Sequence, residues 1–363
     1  MRHARRRTGP VLWLLAITIA VLGACSGDSD AEVQAQQAEA VSDTLDRVSA
    51  RGVLRVGVND ALPGFGYLQP DGSFAGFDVD FGRAVAAAVL GDADLVELIP
   101  VSATNRFDSL RSGEIDVLIR NTSWSLSRDA SLQFAFSVPT FYDGQGVMVR
   151  TADRITTLEE LDGAVVCSLA STTTQLNAED RFTGTDVGYQ ALAFDRAETL
   201  QEAFIAQRCD AWTADRSQLA ARRAAFPAQA GGPTAVRILP PTLSREPLAI
   251  VTRQEDIAWS ELMNWIVLGM LLADELDVTS ENLDERLAAP PGPEAARLLG
   301  TGEGETFNTG LGLPPGFMQA VIRQVGNYDE VYRRNLDPLG IPRAGTPNAA
   351  YRDGGLMYAP PWR

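Results

Sequence analysis

The sequence predicts an α/β protein in which strands and helices alternate and form two lobes around a ligand cleft. Short apolar runs alternate with amphipathic segments along most of the chain, which favours parallel sheets with crossover helices. This alternation begins near residue 53 and again near residue 147, and the chain is long enough for two separate cores. Polar loops follow several strands, at the sheet edge where α/β proteins bind ligands.

Residues 1–24 have the pattern of an export signal. Four arginines precede an apolar run, residues 11–22, which is short for a membrane span. Small residues then lead to Cys25, an arrangement that resembles the lipobox of bacterial lipoproteins. We expect cleavage before Cys25 and a lipid anchor on it; an ordinary signal with a chance cysteine is the alternative. Residues 25–46 are predicted to be a flexible linker, because they have a net negative charge, are rich in glutamine and alanine, and lack aromatic side chains.

Charge and composition exclude several functions. Removal of residues 1–24 takes the formal charge from −16 to −20, which argues against nucleic-acid binding through phosphate contacts. The only histidine is His3 and the chain has no lysine, so the mature protein lacks both. This excludes Ser-His-Asp hydrolysis, histidine-ligated zinc, a Walker A lysine and Schiff-base chemistry. No cofactor or metal is predicted.

The first α/β unit is defined by apolar spacing. Residues 77–89 place apolar side chains at i, i+3, i+4, i+7 and i+8, and acidic residues occupy the first turn. The elements predicted for this unit are strands at 53–58, 95–100 and 115–119, helices at 77–89 and 104–112, and a strand region from residue 134.

The second unit and the C-terminal part follow the same alternation. Predicted strands are 164–169, 209–214, 236–239 and 247–253, and predicted helices are 158–161, 199–208, 217–225, 256–273 and 318–335, the last broken near residue 326. Residues 290–316 are rich in glycine and proline and are predicted to be mostly loop, and residues 354–363 to be extended.

The loop from Asn121 to Ser127, which follows a buried strand, is predicted to bind a small anion. It offers hydroxyl and amide groups and leads directly to Arg128, whose guanidinium matches a carboxylate in two-point geometry. A second anion-binding feature is the helix predicted to begin at Thr172 and Thr173, since free N–H groups and the helix dipole favour negative charge there. Ordinary turn and capping chemistry is the alternative at both places.

Motifs spread over residues 51–363 resemble those of the family 3 solute-binding proteins of amino-acid ABC importers, in particular the general L-amino-acid-binding type. The motifs are GFDVDFGRAVAAAVLGD (76–92), RFDSLRSGEIDVL (106–118), RNTSWSLSRD (120–129), FYDGQGVMV (141–149), STTTQLN (171–177), CDAWTADRSQL (209–219), SREPLAIVTRQ (244–254), VGNYDEVYRRNL (325–336) and GGLMYAPPWR (354–363).

The resemblance implies a type II periplasmic-binding-protein fold, with two hinge strands that cross between the lobes near residues 141–147 and 244–248. Residues 47–143 are then the first part of lobe 1, residues 144–247 are lobe 2, and residues 248–363 complete lobe 1 with a C-terminal extension.

The resemblance also implies roles for individual residues. Arg128 and Ser123 would hold the α-carboxylate of an amino acid, Asn121 would accept its ammonium through the backbone carbonyl, and Asp215 would pair with that ammonium. For Arg128 the alternative is a surface ion pair with Asp129 or another acid. For Asp215 the alternative is capping of the helix at residue 217. Thr174 stands where many relatives have glutamine, so that contact is not transferred.

Asn59 and Asp60 occupy positions that contact the ligand side chain in similar proteins. Phe65 or Trp124 would either stack on the ligand or pack within the protein, and the sequence does not separate these two possibilities.

Cys167 and Cys209 remain after Cys25 is assigned to the lipid. In an oxidising compartment they are expected to form a disulfide, as the resemblance also implies, with two buried free thiols as the alternative.

The predicted function is capture of L-amino acids outside the cytoplasmic membrane and delivery to an ABC importer permease by a monomeric, lipid-anchored protein. One alternative is a sensor that presents ligand to a membrane receptor. The other is an enzyme similar to the cyclohexadienyl dehydratases, which need a carboxylic acid aimed at the ring hydroxyl, but nothing in 120–129 or 209–219 marks such an acid beyond Asp215.

Overall fold

The computed structural model describes residues 42–182 and 188–363. The predicted signal, Cys25 and most of the predicted linker lie outside this part of the chain. Residues 43–46 of that linker form the first turn of a helix that Ser42 caps, since its side chain accepts from the Leu45 N–H. Asp256 fixes this start, accepting from the Ser42 hydroxyl at 3.0 Å.

The strands and helices are numbered in chain order. The strands are β1 Leu54–Val58, β2 Ala61–Leu62, β3 Gly66–Leu68, β4 Phe74–Ala75, β5 Val96–Pro100, β6 Val117–Leu118, β7 Phe134–Phe136, β8 Phe141–Asp143, β9 Gln145–Arg150, β10 Ala164–Leu169, β11 Tyr189–Phe194, β12 Ala211–Asp215, β13 Val236–Ile238, β14 Glu246–Leu248 and β15 Val251–Arg253. The α-helices are α1 Asp43–Arg51, α2 Phe77–Leu90, α3 Arg106–Ser112, α4 Thr173–Phe182, α5 Ala197–Ile205, α6 Arg216–Ala224, α7 Ile257–Glu275, α8 Leu283–Ala288, α9 Pro293–Leu299, α10 Met318–Gln324 and α11 Tyr328–Asn335.

The first sheet has the order β5-β1-β6-β15-β7. Strand β1 pairs in parallel with β5 and β6, as the alternating pattern predicts, whereas β15 is antiparallel to both of its neighbours. Helix α7 packs on this sheet and is apolar on nearly all sides because most of it is buried. It is long and apolar enough to span a membrane by length and composition, but burial in the core explains that composition.

The second sheet has the order β11-β10-β12-β9-β13. Strand β10 pairs in parallel with β11 and β12, and β9 is antiparallel to β12 and β13. Cys167 on β10 and Cys209, two residues before β12, form a disulfide with 5.8 Å between their α-carbons. The predicted disulfide is therefore confirmed, and the alternative of free thiols is wrong.

Two strands connect the sheets. The chain leaves the first sheet through β8 and returns through β14, and these strands pair with each other, Asp143 opposite Glu246. They lie within the predicted crossing regions, 141–147 and 244–248. The proposed lobe limits at 143/144 and 247/248 stay predictions.

Some predicted elements were wrong. The single strand at 247–253 is two strands, because β14 pairs with β8 whereas β15 pairs with β6 and β7. Residues 290–316 are mostly loop, as predicted, but they also contain α9, which ends at Leu299 and is followed by Gly300 in the left-handed conformation. Sequence reasoning also missed β11 and the small sheet β2-β3-β4.

Candidate functional site

A cavity of about 240 Å³ lies between the two lobes, at the carboxyl ends of strands from both sheets. The residues predicted to bind ligand all line it: Asn59, Asp60, Asn121, Ser123, Arg128, Thr172, Thr173 and Asp215. The strand-end loops of two separate sheets therefore converge, which is the arrangement expected for a ligand cleft in α/β proteins.

Arg128 presents a buried guanidinium to this cavity. A short π-helical turn, Ser127–Ser131, carries it, and only 7% of its surface is exposed. Its Nη1 donates to the Ser123 carbonyl at 2.7 Å, and its guanidinium carbon lies 5.5 Å from the centre of the Phe107 ring. Asp129, the alternative partner, instead accepts from Trp124 Nε1 at 2.6 Å. Burial lowers the pKa of Arg128, and Glu246 and Asp215 oppose that change.

Asn121 and Ser123 are held in place by contacts of their own. Asn121 has a φ of 26°, its backbone N–H donates to Asp78 at 2.7 Å, and its Oδ1 accepts from Asn59 Nδ2 at 3.2 Å. The hydroxyl of Ser123 lies 3.5 Å from that of Thr173 on the other lobe. These contacts fix the loop and leave the Ser123 hydroxyl at the point where the lobes meet.

Thr172 and Thr173 occupy the start of α4, as predicted. The Thr172 hydroxyl accepts from the Gln175 N–H at 3.2 Å, so Thr172 performs ordinary helix capping. The Thr173 hydroxyl donates to Glu246 at 2.8 Å and so connects α4 to the linking strand β14. Both residues still line the cavity, so capping and cavity lining coexist here.

Asp215 is the last residue of β12 and is 6% exposed. It precedes α6 but makes no side-chain capping bond; Asp143 accepts from the Ser217 N–H instead. Asp215 Oδ1 is buried without a hydrogen-bond partner in the described structure. Burial raises the pKa of Asp215 well above its usual value, Asp143 and Glu246 raise it further, and Arg128 lowers it. A hydrogen bond with Asn121 acts in the same direction as Arg128, and a cation that approaches Asp215 would favour its carboxylate form further.

Arg106 and Arg120 also line the cavity, and sequence reasoning missed both. Arg106, the first residue of α3, is 3% exposed, and Arg120, which lies just beyond Ile119 at the end of β6, is 8% exposed. Arg120 Nε donates to the Val101 carbonyl at 2.7 Å. Both belong to quoted motifs, and both lie at the carboxyl edge of the predicted sheet. Their position at this edge is the sequence feature that could have identified them as cavity residues.

The structure separates the two possibilities for the aromatic candidates. Phe65 is fully buried and packs edge-to-face against Phe77 and Phe141. Trp124 is 42% exposed and stacks on Phe136 with 6.2 Å between the ring centres. Neither belongs to the residues that line the cavity: Phe65 packs in the core, and Trp124 packs on Phe136 at the surface.

Comparison with known proteins gives a consistent result. Residues 54–283 match the model of the bacterial extracellular solute-binding proteins, family 3. The chain is 40% identical over 346 residues to the general L-amino acid-binding periplasmic protein AapJ of Rhizobium johnstonii, covering 94% of this chain and 99% of AapJ. It is also 40% identical over 327 residues to the glutamate/glutamine/aspartate/asparagine-binding protein BztA of Rhodobacter capsulatus. That match covers 89% of this chain and 94% of BztA.

A solved structure gives the same answer for the fold. The structure of an ABC transporter periplasmic binding protein from Brucella ovis with glutathione bound is 38% identical in sequence and has a TM-score of 0.83. The match covers 89% of this chain and 100% of the Brucella chain. The type II two-lobe fold and the resemblance inferred from the motifs are thus confirmed. The chain belongs to family 3 of the bacterial extracellular solute-binding proteins.

Proposed function

We propose that the cavity binds the charged head group of an L-amino acid and that the protein delivers this ligand to an ABC importer permease. The observation that carries the proposal is the pair of buried opposite charges, Arg128 and Asp215, which face one cavity from two different lobes. The α-carboxylate would bind Arg128 and the hydroxyl of Ser123, and the ammonium would bind Asp215 and the carbonyl of Asn121. AapJ and BztA, the relatives reported above, support this substrate class.

Binding to both lobes explains how ligand would favour closure. A ligand stabilises one conformation only through contacts that differ between conformations. A zwitterion held by Arg128 on one lobe and Asp215 on the other makes both contacts only when the lobes are together. The linking strands β8 and β14 are the natural hinge, and the permease would recognise the closed form.

We propose that Asn59 and Asp60, on the first lobe, face the ligand side chain. We also propose that the protein is a monomer anchored by lipid on Cys25 after removal of residues 1–24. Mass spectrometry of the N-terminal peptide from a native host checks the anchor. A diacylated Cys25 supports it, and an unmodified Cys25 contradicts it.

The experiment that tests the ligand class is calorimetric titration of the purified protein, stripped of bound ligand by unfolding and refolding, with the twenty L-amino acids and glutathione. Arg128→Ala is the test variant. Arg111→Ala is the matched control, since Arg111 is an exposed arginine outside the cavity, paired with Asp108. One-to-one binding that Arg128→Ala abolishes and Arg111→Ala preserves supports the proposal. If no amino acid binds, the proposal is wrong, and turnover of prephenate tests the enzymatic alternative.

A further inference from the structure

Helix α6 of the second lobe is bonded directly to the first lobe. Arg222 Nη2 donates to the carbonyl of Ala61 at 2.6 Å, and Arg222 is 8% exposed. Arg222 lies on α6, which follows strand β12 of the second sheet, whereas Ala61 begins β2, just after strand β1 of the first sheet. This bond therefore joins the two lobes by a route that does not pass through the linking strands β8 and β14.

Apolar packing accompanies this bond. Ala221, the residue before Arg222, is fully buried in a hydrophobic cluster whose other buried members, such as Leu62, come from the first lobe and the linking strands. Helix α6 also lies against β2 and against the turn Asp337–Leu339. We call the contact of Ala221 and Arg222 with the first lobe at Ala61 the α6 latch.

Contacts within the second lobe hold the Arg222 side chain in position. Its Nη1 donates to Gln201 Oε1 at 3.3 Å, and its Nη2 lies 3.8 Å from Glu198 Oε1, with both partners on α5. Burial lowers the pKa of Arg222, and the charge of Glu198 opposes that change. Because these contacts lie within one lobe, they need not change when the lobes separate, whereas the bond to Ala61 must break.

The α6 latch lies at the edge of the cavity. Gln218, one helical turn before Arg222, lines the cavity, as does Ala61, whereas the guanidinium of Arg222 points to the first lobe outside that lining. The N–H of Ala61 donates to the Asn59 side chain at 3.1 Å. Arg222 thus contacts the strand that follows the loop proposed to face the ligand side chain, and it occupies no group proposed to hold the head group.

Two other hydrogen bonds between the lobes are longer than the bond of the α6 latch. Arg106 Nη2 donates to the Ser171 carbonyl at 3.4 Å, and the hydroxyls of Ser123 and Thr173 are 3.5 Å apart. A short bond from a charged donor is stronger than a long one or one between neutral hydroxyls. The α6 latch is therefore expected to contribute more to closure than either of these contacts.

We infer that Arg222 is a positioning residue that keeps the loaded cleft closed, because its bond to Ala61 forms only when the lobes are together. A contact that does not touch the ligand adds the same free energy to closure whichever ligand is bound. The α6 latch thus prolongs the residence of every ligand by the same factor, and selection among ligands stays with the cavity. This inference rests on the proposed function, in which the ligand binds between the lobes.

The test compares affinities and rates for several ligands in two variants of one helix. L-Glutamate and L-glutamine are the first probes, and every other amino acid that binds in the calorimetric screen is added. Arg222→Gln is the test variant, and Arg223→Gln removes the same charge from the next, half-buried position of α6 as the matched control.

Arg222→Gln should raise the dissociation constant of every ligand by one common factor, roughly tenfold, as expected for a hydrogen bond to a charged group. Stopped-flow measurement should show that the release rate rises by this factor while the association rate constant stays the same, since the ligand enters before the lobes close. Arg223→Gln should behave like the unchanged protein.

Each other result contradicts the inference. An unchanged dissociation constant in Arg222→Gln shows that the α6 latch does not stabilise the loaded form. A loss confined to one ligand makes Arg222 a specificity residue, and slower association with unchanged release places its role before closure. In these cases the proposed function stands. Absence of binding by any amino acid to the unchanged protein overturns the proposed function and this inference with it.

Ala221→Leu tests the same contact without removing a charge. A larger side chain in this closely packed position should hold α6 away from the first lobe and so shorten the residence of every ligand. If Arg222→Gln loses its one-to-one stoichiometry, which would indicate misfolding, Ala221→Leu decides the question alone. If Ala221→Leu retains the affinity and the release rate of the unchanged protein, α6 does not approach the first lobe in the loaded form, and the inference is wrong.

Discussion

Replacement of Asp215 by Asn is expected to remove most of the pH dependence of ligand binding. Asp215 is buried, and its neighbours include the carboxyl groups of Asp143 and Glu246 on the two linking strands. Burial and these two acids raise the pKa of Asp215 well above its usual value, although Arg128 and Asn121 act in the opposite direction. The empty cleft therefore holds a proton on this group at a pH where an ordinary aspartate is ionised.

The size of the effect follows from proton linkage. The ligand ammonium needs the carboxylate form, so binding below the pKa of Asp215 in the free protein must release one proton. The dissociation constant should then rise about tenfold for each pH unit below that pKa and become constant above it. Asp215→Asn cannot release this proton, so its affinity should be weaker at high pH, by roughly tenfold to a hundredfold, and nearly independent of pH.

The assay is calorimetry from about pH 5 to about pH 9, in pairs of buffers with different ionisation heats, which counts the protons released on binding. Asp180→Asn, which changes an exposed carboxylate on the same lobe, is the control. Asp143→Asn should shift the midpoint of the pH profile downward, since Asp143 is the largest charge acting on Asp215. A flat profile without proton release in the unchanged protein, or a full pH slope in Asp215→Asn, would refute the reasoning.

Three further predictions concern stability. Cys167→Ser combined with Cys209→Ser should lower the free energy of unfolding by about 4 kcal/mol, the loop-entropy value for their separation of 42 residues, as measured by urea unfolding. Asn348→Ala should cost about 1–3 kcal/mol in the same assay, because Asn348 Oδ1 accepts from the Tyr142 N–H at 2.6 Å and its Nδ2 donates to the Tyr142 carbonyl at 2.9 Å. Burial raises the pKa of Asp78 to about 7, so the folded state binds an extra proton above pH 3.8, and stability should fall as pH rises toward 7. Asp78→Asn should remove roughly 4 kcal/mol of that fall, measured as unfolding temperature against pH.

The sequence predicted most elements whose signal is local. Helices α2 and α7 have continuous apolar spacing, so their limits agree with the predicted ones within about three residues. Strand β10 was predicted with its observed limits, because glycine precedes it and a polar turn follows. The separation of β14 from β15 was missed because it depends on which distant strands they pair with, and a sequence window contains no information on that.

The eight predicted binding residues converge because they lie in the loops or at the helix start that follow strands, at the carboxyl edges of the two sheets. Arg106 and Arg120 were missed for a different reason. An arginine in a sequence is normally exposed, and only the packed structure shows that these two are buried beside a cavity. The sequence predicted the residues of the candidate head-group site, but the burial of Arg106 and Arg120 depends on tertiary structure.

Arg128 and Asp215 attract each other, but in the described structure they do not form an ion pair, and Arg128 bonds to the Ser123 carbonyl instead. If they paired directly, the lobes would gain the closing contact without ligand, and an empty closed protein would compete with the loaded one. In the proposed binding mode, the ligand ammonium and α-carboxylate fill the gap between Asp215 and Arg128. The spacing of Arg128 and Asp215 would thus make closure depend on a ligand that has both a negative and a positive group.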